Sequence, residues 1–187
     1  MNPTHPTLDR PLVKPSEVNE SLFALLFAET VRYINFHESV RDVEDFQNKL
    51  SSLGFEVGWR TLELVASREK IEKREIRIIQ ALQHVTGACW ISLFGKQTDS
   101  LERSTESDTF LITETDPLPC KYTSTLSGPN LASFNAGIIH GLLVAQGLDC
   151  TVKVHYVADR PGAKFVYVVK FDPAVIQREA RTSRSSS

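Results

Sequence analysis

The heptapeptide LFALLFA, residues 22–28, restricts the fold more than any other stretch of the chain. Between residues 19 and 36, Leu22, Phe23, Leu25, Leu26, Phe27, Val31, Tyr33 and Ile34 keep a helical period but cover more than one stripe of the helix. A helix that is apolar on two sides must be covered from two directions, or it leaves a greasy face in water. A protein partner is the economical source of the second cover; complete burial within one domain is the alternative, since aliphatic core helices occur in monomers too. Leu22, Phe23, Leu26, Phe27 and Tyr33 are therefore the expected partner-binding residues.

The rest of the chain supplies the elements around that helix. A second helical pattern starts at Asp42, a plausible N-cap, and runs through Val43, Phe46, Leu50 and Leu53 to Leu62, Leu64 and Val65. Gly54 and Gly58 interrupt it, and the expectation is a helix that is either broken or closely packed there, because glycine weakens a helix yet lets another backbone approach. The octapeptide REKIEKRE, residues 68–75, alternates charge and reads as a solvated helix end with a Glu69 to Lys73 pair. Ile79, Leu82, Thr86, Cys89, Trp90 and Leu93 predict a third helix ending at Gly95. Short β-branched runs at residues 109–114 and 121–126 predict a strand pair. Helical spacing returns from Leu131 to Ala145, with Ser133, Gly137 and Gly141 recurring every four residues as a row suited to close contact. Alternation at Val152, Val154 and Tyr156, then a nearly continuous apolar run at residues 164–171, predicts a second strand pair, and Pro173 opens a terminal helix. Short connections make this an α/β (α+β plait) domain: a four-stranded antiparallel sheet with helices packed on one face. The proline-punctuated residues 1–15 are expected to be an extended arm, residues 16–181 the single domain, and residues 182–187 a disordered tail.

Composition narrows the function classes. Twenty-one Lys and Arg against 23 Asp and Glu leave a formal charge of -2 on 187 residues, so the electrostatic footprint of a nucleic-acid binder is missing. Cys89, Cys120 and Cys150 are odd in number and widely spaced, which fits free thiols in a reducing compartment. No apolar signal segment or membrane span of about 20 residues is present, so a soluble cytosolic protein is expected. Hydrolase, dinucleotide, phosphate-loop and zinc-protease motifs are all missing, and no metal or cofactor is expected. His140, beside Gly141, reads as a packed histidine; His155 reads as an outward strand residue and Cys89 as an inert core thiol.

Several segments together resemble the small, core-forming subunits of the TRAPP vesicle-tethering complex. They are LDRPLVKP followed by LFALLFAE, then LSSLGFEVGWRTLEL, REKIEKRE, WISLFGK with DSLE, and LASFNAGIIHGLL ahead of the last hairpin, so the resemblance covers about residues 8–178. The L-x-x-L-G-x-x-x-G-x-R core, Leu50 through Arg60, marks the wider family; REK...RE and LFGK followed by L-E point to its subunit-five branch. The resemblance implies structural roles for Gly54, Gly58 and Arg60 and a scaffolding, non-enzymatic function. It implies pairing, as a heterodimer, with other TRAPP small subunits, especially the acylated founding subunit. Through the assembled complex it implies contact with a Rab GTPase, support of guanine nucleotide exchange in ER-to-Golgi transport, and a peripheral place at endoplasmic reticulum and cis-Golgi membranes. The founding subunit's acylated cysteine lies before its third helix, and no cysteine occurs here before Cys89, so acyl anchoring is not carried over. A lipid- or acyl-binding module, with an apolar tunnel between the third helix and the sheet, is the competing expectation.

Overall fold

Capping sets the first two helices in a computed structural model that describes residues 18–69, 77–122, 128–159 and 162–185. Helix α1 (Glu20–His37) opens at Asn19, whose side chain accepts from the Ser21 N–H at 2.9 Å. Helix α2 (Val43–Glu69) opens at Asp42, whose carboxylate accepts from the Asp45 N–H at 2.8 Å. It runs unbroken through Gly54 and Gly58. Of the charged octapeptide only Arg68 and Glu69 fall in α2; the Glu69 to Lys73 pair and the arm at residues 1–15 lie outside the described residues.

The third helix is not the continuous one that the sequence predicts. Helix α3 (Ile78–His84) and helix α4 (Trp90–Phe94) are joined by a π-helical turn, Val85–Cys89. Such a turn adds a residue to the helical count, so a stripe drawn at constant period runs one position out of phase. Ile78 thus faces the core and Ile79 is exposed. The Thr86 carbonyl in the turn accepts from the Thr98 N–H at 3.2 Å, which satisfies an acceptor that the widened turn frees. Gly95, at φ 73°, ends α4 in the left-handed conformation expected of it.

Strands β1 (Ser100–Arg103), β2 (Thr109–Thr115), β3 (Cys150–Asp159) and β4 (Gly162–Phe171) form one antiparallel sheet in the order β1-β2-β4-β3. The fold class read from the sequence is the one found, with one strand reassigned. The partner of β2 is Ser100–Arg103, not residues 121–126. Both edges of β2 are taken, one by β1 and the other by β4, and the chain leaves β2 through Pro117 into a 3-10 turn, Leu118–Cys120. Of the expected strand, Lys121 and Tyr122 form a turn, and residues 123–126 lie outside the described ones. The true edge strand was hidden by its polarity, with Leu101 its single apolar residue. Helix α5 (Ser133–Ala145) ends just before Gly147, at φ 70°. Helix α6 (Pro173–Ser185) runs past Thr182, where a disordered tail was expected. Buried Val175 anchors its first turn, and each residue added to a formed helix gains a hydrogen bond while Ser and Thr cost only about 0.5 kcal/mol against Ala.

Helix α5 lies between the sheet and α2, and its contact with α2 is a crossing of glycines. A Cβ at Gly54 would stand 2.0 Å from the Phe134 carbonyl oxygen, and one at Gly58 would stand 2.2 Å from that of Ile138. The relation is reciprocal: a Cβ at Gly137 would meet the Ser51 oxygen at 2.0 Å, and one at Gly141 the Phe55 oxygen at 2.2 Å. No side chain fits, so the Cα hydrogens of one helix face the carbonyls of the other. Four interior glycines each cost about 1 kcal/mol of helix propensity against Ala, a loss that the continuous packing of two helix surfaces offsets.

One carboxylate is buried on the sheet's inner face. Phe110, Ile112 and Glu114 alternate inward along β2, and Glu114 is 1% exposed. Tyr167 Oη donates to its Oε2 at 3.0 Å and Asn135 Nδ2 to the same oxygen at 3.1 Å. Trp90 Nε1 donates to Oε1 at 3.3 Å, and Lys96 Nζ stands 3.7 Å from that oxygen. Burial raises the Glu114 carboxyl above its ordinary value, and the donors from Tyr167 and Trp90, the Lys96 charge and Asn135 pull it back.

Gly58→Ala is expected to lower stability although alanine is the better helix former, because the added methyl meets backbone. The loss is about 1–3 kcal/mol, which lowers the melting temperature by roughly 2–4 °C per kcal/mol, and Gly58→Leu loses more. A leucine variant that melts with the wild type would contradict the crossing. For Glu114, the folded chain holds its proton more tightly than the unfolded chain, so its contribution to stability falls as pH rises from about 4.3 through the raised value. Glu114→Gln sets an amide against donors on one side and loses about 1–3 kcal/mol at low pH. The gap between wild type and Glu114→Gln in urea midpoints should narrow as pH rises; a widening gap would reverse the sign of this argument.

Candidate interaction surface

Helix α1 carries two apolar stripes with different fates. Phe23, Phe27, Val31 and Ile34 face the domain, and the Phe27 ring lies 5.3 Å from that of Phe134 on α5. Leu22, Leu25, Leu26, Tyr33 and Phe36 face outward and are exposed. Within this chain Leu22 remains 60% exposed and Leu26 66%, values far from those of ordinary leucines on a core-forming helix. The Glu29–Arg32 ion pair, at 3.3 Å, lies on the exposed side of the same helix. Fully covering a leucine-sized side chain is worth about 1.5–3 kcal/mol, so this stripe can contribute appreciably to an association.

The five residues expected at a partner therefore separate. Leu22, Leu26 and Tyr33 lie on the open stripe, with Tyr33 stacked on His37 at 5.1 Å. Phe27, only 7% exposed, belongs to the core, and Phe23 stacks on it at 5.8 Å in a half-buried position. The physical reason is phase: positions 23 and 27 fall on the side that faces α2 and the Phe134 ring of α5, and position 26 falls on the other. Leu25 and Phe36 belong to the open stripe as well, and Leu25 was visible within the apolar run.

The first turn of α1 is tied to the body of the domain by charge. Lys121 Nζ lies 2.7 Å from Glu20 Oε1. The hydrogen bond from Lys121 holds the Glu20 carboxyl below its ordinary value, and Glu20 in turn raises the Lys121 ammonium. Gly54 and Gly58 sit at the helix crossing, whereas Arg60 lies in solvent beside Glu56 at 3.2 Å and takes no part in the packing. An exposed i, i+4 pair of this kind contributes little to the stability of the single chain.

The remaining reactive residues are packed away or isolated. Burial lowers the His140 imidazole, whose ring meets Phe55 edge-on at 5.0 Å. His155 is exposed, and Cys89 is fully buried. Burial pushes the thiols of Cys120 and Cys150 up to about 12, far from the reactive thiolate range. Among the described residues no group of three or more His, Cys, Asp and Glu is placed to hold a metal ion, and no helix is long and apolar enough to cross a membrane. The Glu114 cluster escaped the reading of the sequence, although strict alternation from Phe110 and Ile112 puts position 114 inside.

Comparison with known proteins agrees with this architecture. Residues 23–172 match the family model described as Transport protein particle (TRAPP) component. Trafficking protein particle complex subunit 5 of Dictyostelium discoideum is 39% identical over 180 residues, covering 92% of this chain and 96% of that relative. The Homo sapiens protein of the same name is 39% identical over 177 residues, covering 92% and 90%. Among solved structures, a trafficking protein particle complex subunit 3 from Naegleria fowleri, covalently bound to palmitic acid, aligns with TM-score 0.68 at 14% identity over 84% of this chain and 97% of its own, a likeness of fold. With a family model spanning most of the domain and relatives this similar along nearly their whole length, the chain belongs to the transport protein particle (TRAPP) component family.

Proposed function

We propose that this chain is a structural core subunit of the TRAPP vesicle-tethering complex, and that the open stripe of α1 docks on the apolar helices of another small subunit. The observation that carries the reading is the exposure of Leu22, Leu25, Leu26, Tyr33 and Phe36 in one helical row, on a chain whose relatives are named as subunits of a particle. The preferred partner is the acylated founding subunit of the family, as a heterodimer. The assembled complex then acts as the guanine nucleotide exchange factor for a Rab GTPase in ER-to-Golgi transport, at endoplasmic reticulum and cis-Golgi membranes, with the membrane contact supplied by the complex. The chain itself performs no catalysis in this reading. It holds neighbours in place.

Replacing Leu22 and Leu26 with Asp should weaken co-purification with the partner subunit by at least about tenfold while the isolated chain keeps its melting temperature, because desolvating a carboxylate at the centre of an apolar contact opposes association. Phe27→Ala should do the reverse in part, lowering stability by about 3–5 kcal/mol through the core. A Leu22 and Leu26 double variant that assembles at the wild-type level would sink the docking surface. Nucleotide release from the Rab GTPase should be absent with this chain alone and appear only with partner subunits present; substantial exchange by the isolated chain would overturn the scaffold reading. An acyl lipid extracted in stoichiometric amount from the purified chain would favour the lipid-binding module.

A further inference from the structure

The segment WISLFGK, residues 90–96, starts and ends on the same buried oxygen. Trp90 Nε1 donates to Glu114 Oε1 at 3.3 Å and Lys96 Nζ stands 3.7 Å from it. Between them, left-handed Gly95 ends α4 and returns the chain to the end of β2. Lys96 Nζ also donates to the carbonyl oxygens of Thr115, at 3.2 Å, and Asp116, at 3.4 Å. A lysine ammonium has three donors, and here three acceptors surround it.

In the turn that Lys96 holds, Asp116 has φ 53°, a left-handed conformation that costs an aspartate less than most residues with a side chain. Asp99 braces the same turn from the other side, its carboxylate accepting from the Thr115 N–H and its own N–H donating to the Thr113 carbonyl at 2.9 Å. From Asp116 the chain passes through the 3-10 turn, which touches α1, directly to Lys121, whose ammonium holds Glu20 in the first turn of α1. The path from a buried carboxylate to the start of the docking helix is thus a run of direct contacts. None of its members lies on the exposed stripe.

We propose that Lys96 is a positioning residue for α1: by holding Glu114 and the two carbonyls of the Thr115–Asp116 turn, it fixes the turn whose Lys121 seats the docking helix. Partner affinity then depends on a side chain that no partner touches. This inference rests on α1 as the docking surface, and its test separates the two.

Hydrogen exchange is measured on the full chain for wild type, Lys96→Met, which keeps the stem and loses the donors, and Lys96→Arg, which restores a cation. Lys96→Met should speed exchange across residues 20–30 by about two- to fivefold, the range an exposed ion pair such as Lys121–Glu20 can supply, and leave the β3–β4 hairpin unchanged, with Lys96→Arg returning most of the protection. Should Lys96→Met unfold the chain, the charge swap serves: Lys121→Glu alone should loosen residues 20–30 and Lys121→Glu with Glu20→Lys should restore them. Exchange that rises evenly over the whole domain, or an α1 left unchanged, would overturn the proposal. Partner affinity should fall with the loosening of α1. A loosened α1 with unaltered affinity would support the anchor and remove the docking reading.

Discussion

The backbone-to-backbone crossing of α2 and α5 is the contact on which the other layers rest. Because Gly54, Gly58, Gly137 and Gly141 are all required to be small, the two helices are fixed in register as well as in distance. Phe134 shows how that register spreads. Its carbonyl faces Gly54, and its ring meets Phe27, so the same residue that sets α2 on α5 also sets the inner stripe of α1. On the opposite side of α5, Asn135 reaches Glu114 on the sheet. A shift of one helix past the other would therefore disturb α1 and the polar centre together.

The polar centre has a different physical character from the crossing. Glu114 gives up hydration that only well-placed donors can replace, and the donors come from α4, α5 and β4, with Lys96 following α4. A group whose partners come from so many elements penalises alternative packings, since any of them would leave a buried carboxylate short of donors. The apolar crossing supplies closeness and the carboxylate supplies uniqueness. Between them they hold a domain whose outward α1 stripe stays exposed.

What the sequence made legible follows from which forces are periodic. Helix and strand order, the cap at Asp42 and the left-handed glycine at 95 rest on local chemistry, and the local chemistry is in the text of the chain. The π turn at Val85–Cys89 is invisible to a fixed period, and it moved Ile79 outward. The polar edge strand Ser100–Arg103 has no alternation to read, because its ladder is held by backbone bonds to β2. In the candidate surface, two apolar stripes on α1 were evident, but which stripe the domain covers depends on the placement of α2 and α5. That placement decides that Phe27 is core and Leu26 is not. Glu114 was missed for a related reason: its donors are distant in sequence, and only the folded sheet brings Asn135 and Tyr167 to it.

In the proposed assembly the outward stripe of α1 is covered by another subunit of the particle. Site-specific photo-crosslinking in cells tests it most directly, with the crosslinker placed at position 26 on that stripe and, separately, at position 153 on the open face of the sheet, where Lys153 is exposed. If another subunit covers the stripe, position 26 gives a discrete adduct to a small TRAPP subunit and position 153 gives little. An adduct from position 153 with none from position 26 would contradict it.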